Sequence, residues 1–123
     1  MKIFGIGNDI MEIDRIGESY REHGERFLER ILTPKERAYC HKHQDLLPHI
    51  AARFSGKEAV AKALGVGIGE RLSWQDIEIL NDEKGKPCVT LSPKAMKEFD
   101  NPKLFLSISH CKLYVSAVAI YMN

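Results

Sequence analysis

Three short stretches hold residue types that could act on a phosphate. The first is Gly5-Ile6-Gly7-Asn8-Asp9-Ile10. On a strand, side chains alternate between faces, so Gly5, Gly7 and Asp9 share one face that is bare except for a carboxylate. A bare backbone admits a bulky anion and its metal. A single hard oxygen ligand suits Mg²⁺, which takes one or two carboxylates together with phosphate oxygens and water. The same residues also describe a plain strand ending in a turn, with Asp9 solvated or capping the next helix. The second stretch runs from Arg53-Phe54-Ser55-Gly56-Lys57-Glu58 to Ala59-Val60-Ala61-Lys62-Ala63-Leu64-Gly65. Glu58 and Lys62 are neighbours on one helix face, where a carboxylate could hold a metal and an ammonium a phosphate; read plainly, they are a surface pair worth ~0.2–0.5 kcal/mol. Gly56 inside this helix costs about 1 kcal/mol relative to Ala, which argues for close packing or a required approach at that turn. The third stretch, Ser107-Ile108-Ser109-His110, ends a strand with a histidine that could donate to phosphate or be solvated at a turn. His23, His41, His43 and His49 show no ligand spacing and read as surface residues. Trp74 reads as core or interface.

The elements that must position these residues follow from periodicity and punctuation. Ile3, Phe4, Ile6 and Ile10 predict a strand, followed by a helix from near Glu12. Phe27, Leu28, Ile31 and Leu32 are spaced for one buried helix face. Thr33-Pro34-Lys35-Glu36 predicts a helix start, with Thr33 as N-cap and Glu36 closing a capping box. Pro48 interrupts before a helix over 50–64, whose apolar set is Ile50, Phe54, Ala61 and Leu64 and which Gly65 can end in a left-handed cap. A hairpin is expected around Asp82–Pro87, between strands at 77–80 and 88–91. A short helix follows from Ser92-Pro93 to about Phe99, and two last strands cover 104–109 and 113–121. This order implies a single α+β domain over residues 1–123, with a mainly antiparallel sheet.

Composition limits the function classes. Net charge is +1 and aromatic residues make up 8%, which offers neither the basic field nor the stacking surface of a nucleic-acid binder. Cys40, Cys88 and Cys111 form no paired spacing, which argues against a disulfide framework and a zinc site. The opening from Met1 to Ile10 lacks the pattern of a signal peptide. The longest apolar stretch, Val115 to Met122, is too short to span a bilayer, so no membrane insertion is expected and the cytoplasm is the default location. No glycine-lysine loop of the Walker type is present.

Taken in order, these pieces resemble the short, holo-acyl-carrier-protein-synthase type of 4′-phosphopantetheinyl transferase. Gly5–Ile10 followed by Glu12-Ile13-Asp14-Arg15-Ile16 is similar to that family's first motif, and Arg53–Gly65 to its second. Leu72–Ile79 with Gly85-Lys86-Pro87 resembles its hairpin, and Ser107–His110 its last motif. Two positions depart from the pattern: Asn8, where an aliphatic residue is expected, and Gly56, where alanine is. The resemblance implies transfer of the phosphopantetheine arm of coenzyme A to a serine of acyl carrier protein, serving fatty acid biosynthesis. It implies Asp9 and Glu58 as Mg²⁺ ligands, and Glu58, working through a polarised water, and Lys62 as catalytic groups. Arg53, Lys62, Gly65, Pro87 and His110 would bind coenzyme A. Arg15, with Arg21 and Arg26, would meet the acidic carrier protein, although Glu18, Glu22, Glu25 and Glu29 interleaved with them equally describe a solvated helix face. It also implies a homotrimer with each site at a subunit boundary. A trimer without catalysis is the rival reading, in which the pairing of Asp9 with Glu58 is accidental.

Overall fold

The computed structural model describes residues 2–122; Met1 and Asn123, the ends of the expected domain, lie outside the described residues. Strand β1 (Ile3–Glu12) leads into three helices, α1 (Ile13–His23), α2 (Glu25–Ile31) and α3 (Pro34–His41). The long α4 (Leu47–Ala63) follows, then the hairpin β2 (Ile77–Asn81) and β3 (Pro87–Leu91), the short α5 (Pro93–Glu98), and the strands β4 (Lys103–His110) and β5 (Tyr114–Met122). The main sheet is antiparallel in the order β1-β5-β4, and β2-β3 form a separate antiparallel pair. This is the expected α+β architecture.

Local chemistry accounts for most boundaries. Thr33 caps α3 through a capping box with Glu36, as its spacing predicts. Ser92 caps α5 by accepting from the Ala95 amide. Pro48 does not stop the chain before α4; it lies in the first turn of that helix, where a missing N–H costs nothing. Gly65 follows α4 with φ +78°, the left-handed conformation that glycine adopts without penalty.

The helix α4 is the axis of the molecule and is buried around nearly its whole circumference. Its C-terminal half packs Ala59, Val60 and Ala63 into a core with Ile77, Ile79, Leu106, Ala117 and Ala119. Its N-terminal half packs Ile50 and Ala51 with Ile16, Leu28, Leu32 and Val115. Gly56 is explained by this packing, since a methyl group there would press into the Ile79 side chain. Trp74 packs its ring on Phe54 at 4.9 Å.

A buried ion pair ties this helix to its surroundings. The Lys57 ammonium donates to Glu36 Oε1 at 2.6 Å and to the carbonyls of Ile31 and Trp74 at 2.8 and 2.9 Å. Glu36 also accepts from the Thr33 and Ile79 amides. The end of α2, the start of α3, the turn at Trp74 and strand β2 therefore meet at one node. Burial pulls the Lys57 pKa down, and the Glu36 charge opposes that pull. Breaking such a pair strands a buried charge, so Lys57→Met should lose ~3–5 kcal/mol of stability in denaturant unfolding. A loss under 1 kcal/mol would show that the node does not hold these elements together.

Candidate active site

The bare face of β1 serves a different purpose from the one its composition suggests. A Cβ on Gly5 would overlap the Ala63 carbonyl oxygen, and one on Gly7 the Ala59 carbonyl oxygen. The two glycines admit the backbone of α4, not a ligand. Asp9, next on the same face, is thereby held against the helix. Its Oδ2 accepts from the Ser55 hydroxyl at 2.8 Å, and its Oδ1 pairs with Lys62 Nζ at 3.2 Å. Lys62 Nζ also donates to the Asn8 carbonyl at 2.9 Å. The Lys62 side chain is 52% exposed, so its charge remains available to solvent or a ligand. Its partner is Asp9 rather than the Glu58 expected from helix spacing.

Glu58 completes this cluster. Burial raises its pKa, and the Asp9 carboxylate raises it further while Lys62 pulls the other way. Two carboxylates that repel each other beside one shared ammonium are a donor set that suits a divalent cation. Among the described residues no group of three or more His, Cys, Asp or Glu side chains could hold a metal. Two carboxylates are the protein share of ligands that suits an ion such as Mg²⁺, which completes its shell with phosphate oxygens and water.

A second cluster forms around Arg53. A cavity of about 430 Å³ is lined by Arg53, Tyr39, His49, Asn81, Pro87 and His110, among others. Arg53 is 2% exposed. Its Nη2 donates to Asn81 Oδ1 at 2.5 Å and its Nη1 to the His49 carbonyl at 3.3 Å. The guanidinium lies over the Tyr39 ring at 4.3 Å, a cation–π contact that holds it flat. The surface reading of the histidines holds for His23 and His41, whose side chains are 59% and 40% exposed. It fails for His43 and His49, whose rings stack at 3.6 Å, with His49 in the cavity wall. They are six residues apart across a turn, a spacing no ligand pattern marks.

The expected site residues thus fall into two groups. Asp9, Glu58 and Lys62 form one; Arg53, Pro87 and His110 form the other. At 3.6 residues per turn, Arg53 and Lys62 project roughly 180° apart around α4. The sheet separates them as well: Asp9 pairs with Ala117, which pairs with Ile108, so the β1 and β4 edges stand two strands apart. Gly65, three residues past Lys62, ends the helix. Arg15, Arg21 and Arg26 are exposed on α1 and α2, and Arg26 borders a shallow surface cavity with Glu22, His23, Phe27 and Arg30. Sequence reasoning missed Ser55, Asn81, Tyr39 and His49. Only Ser55 carried a signal, one helical turn before Ala59 on the face that meets β1.

Asn8 points away from the helix, exposed on the outer face of the sheet, and its amide reaches the Ala117 carbonyl at 3.4 Å. Cys40, Cys88 and Cys111 are all free thiols. No helix among the described residues is long and apolar enough to cross a membrane.

Comparison with known proteins places this geometry. The holo-[acyl-carrier-protein] synthase of Protochlamydia amoebophila is 50% identical over 119 residues, 97% of this chain and 98% of that protein. That of Chlamydia pneumoniae is 49% identical over 120 residues, 98% of each. Among solved structures, the Helicobacter pylori holo-[acyl-carrier-protein] synthase in complex with coenzyme A matches with a TM-score of 0.87 and 42% identity, covering 95% of this chain and 99% of that one. The Neisseria meningitidis enzyme matches with a TM-score of 0.92 and 34% identity, over 99% and 100% of the two chains. The profile of the 4′-phosphopantetheinyl transferase superfamily matches residues 5–118, and the chain belongs to that superfamily.

Proposed function

We propose that this protein is a holo-acyl-carrier-protein synthase, moving the 4′-phosphopantetheine arm of coenzyme A onto a serine of apo-acyl carrier protein in the cytoplasm, in support of fatty acid biosynthesis. The observation that carries the reading is the cluster of Asp9, Glu58 and Lys62, built by a strand and a helix that meet backbone to backbone at Gly5 and Gly7. In the reaction the serine oxygen bonds to the β-phosphorus, the bond from that phosphorus to the bridging oxygen breaks, and 3′,5′-ADP leaves.

Each residue has a part in this transfer. Asp9 and Glu58 would hold Mg²⁺, which when bound supplies positive charge to the pyrophosphate. The Lys62 ammonium, fixed by Asp9 and the Asn8 carbonyl, offsets charge that builds on the leaving phosphate. Glu58, working through a water, is the group to take the proton that the serine hydroxyl gives up. Arg53 and His110 anchor phosphates of coenzyme A, Pro87 shapes the same cavity, and Gly65 leaves room at the end of α4. Arg15, with Arg21 and Arg26, offers positive charge to the acidic carrier protein.

The two clusters lie on opposite flanks of a buried helix, so one coenzyme A molecule cannot wrap around it to touch both. A site assembled from the Asp9 flank of one copy and the Arg53 flank of the next removes this obstacle and supports a homotrimer. Ile6 and Ile10 on β1, Val118 on β5 and Phe105 on β4 are exposed on the outer sheet face, and a patch of this kind marks an interaction surface.

The reading is tested by mass spectrometry of apo-acyl carrier protein incubated with coenzyme A, Mg²⁺ and this protein; an unmodified carrier would overturn it. Asp9→Ala and Glu58→Ala should abolish most transfer while thermal melts show a folded protein. Lys62→Ala should cost ~10²–10³-fold in single-turnover rate, with partial rescue by Lys62→Arg; an unchanged rate would remove Lys62 from the site. Arg15→Glu should raise KM for the carrier protein and leave KM for coenzyme A unchanged, and equal effects on both would dismiss it as a docking residue. Val118→Lys should convert the assembly to monomers in sedimentation and lower activity, whereas an active monomer would refute the shared site.

A further inference from the structure

We propose that His49, backed by the stacked ring of His43, is a proton-linked phosphate ligand: it is neutral in the free cavity, and a phosphate of coenzyme A seated there draws a proton onto it. The proposal rests on the coenzyme A reading above and adds a dependence of that binding on pH.

Geometry comes first. The Arg53 guanidinium is almost fully buried in the wall of the cavity, and its Nε is buried without a hydrogen-bond partner. Such an unmet donor, in a cavity also lined by His49 and His110, marks a place built for an anion. The His43 and His49 rings lie nearly parallel, 3.6 Å apart and 26° from coplanar. His43 Nδ1 meets the Tyr39 carbonyl at 3.0 Å, a contact that requires its proton on Nδ1. That bond fixes the His43 ring, and the Tyr39 ring supports both imidazoles, with centroids at 4.9 and 5.7 Å. His49 is thus held in one orientation at the cavity wall, while no described residue hydrogen-bonds to its ring.

Charge follows from that placement. The groups facing His49 are His43 from the turn before α4, Arg53 from α4 itself, His110 from β4, Asp45 from the same turn as His43, and the neutral Tyr39 from α3. Burial lowers the His49 pKa, and His43, Arg53 and His110 lower it further, with Asp45 alone opposing. The free protein therefore carries His49 as a neutral imidazole near neutral pH. A phosphate dianion beside it reverses the balance and favours imidazolium. The pKa is then higher in the complex than in the free protein, so affinity is greatest below the free-protein pKa. It falls as pH rises through the pKa of the complex. A phosphate monoester, with its second pKa near ~6, stays a dianion across most of this window.

The test is calorimetric titration of the full chain with coenzyme A between about pH 6.5 and 8.5, the range in which histidine responds. It is run in two buffers of different protonation enthalpy. Wild type should take up a proton on binding and lose affinity towards high pH, by up to roughly tenfold for each unit by which the pKa rises. His49→Phe and His49→Gln, checked for folding by thermal melts, should bind more weakly at low pH, with a flattened profile and less proton uptake. A parallel titration with dephospho-coenzyme A identifies the source of the phosphate. Loss of the proton uptake assigns the contact to the 3′-phosphate and its retention to the pyrophosphate, and either supports the linkage. Binding by wild type without proton uptake, or a folded variant that keeps the wild-type pH profile, would overturn it. Failure of wild type to bind coenzyme A at any pH would instead bring down the functional reading itself.

Discussion

The contact on which the site depends is the approach of α4 to β1. Two glycines let the helix carbonyls of Ala59 and Ala63 come as close as the strand backbone allows. This brings Asp9 within hydrogen-bond reach of both Ser55 and Lys62, one near the middle of the helix and the other in its last turn. A side chain at either glycine would lift the helix and take Asp9 away from its partners. Steric emptiness and a charged cluster are thus one arrangement.

The two lysines of α4 show how environment divides one residue type. Lys57 has no exposed side-chain surface and spends its three donors on Glu36 and two carbonyls, which satisfies all of them. Lys62, just over one turn later, keeps half of its surface in solvent and shares its charge with Asp9. The first lysine holds elements in place; the second remains free to meet a ligand. A formal charge count treats them alike, while desolvation and geometry give them opposite uses.

Much of this was legible in the sequence, for identifiable reasons. Thr33, Ser92 and Gly65 act through local backbone chemistry, so the ends of α3, α5 and α4 followed from neighbouring residues. Asp9, Glu58 and Lys62 lay within motifs dense enough to mark them. What stayed hidden depends on contacts between distant segments. Lys57 and Glu36 pair across 21 residues, and nothing local separates them from surface charges. Arg53 meets Asn81 across 28 residues, and His49 takes its place only once α3, the turn after it and β4 surround it. Gly5 and Gly7 were correctly placed on one face, but what fills that face could be known only from the packing of the helix.

Because α4 is enclosed by the sheet on one side and by α1, α3 and the hairpin on others, its backbone has no route to open on its own. Amide hydrogens in its middle turns can exchange only through excursions close to global unfolding. Glu58 and Lys62 ride on that backbone, so a partial opening that spares the fold cannot dismantle the cluster. Whatever lifetime the folded chain has against proteolysis or heat is also the lifetime of this cluster.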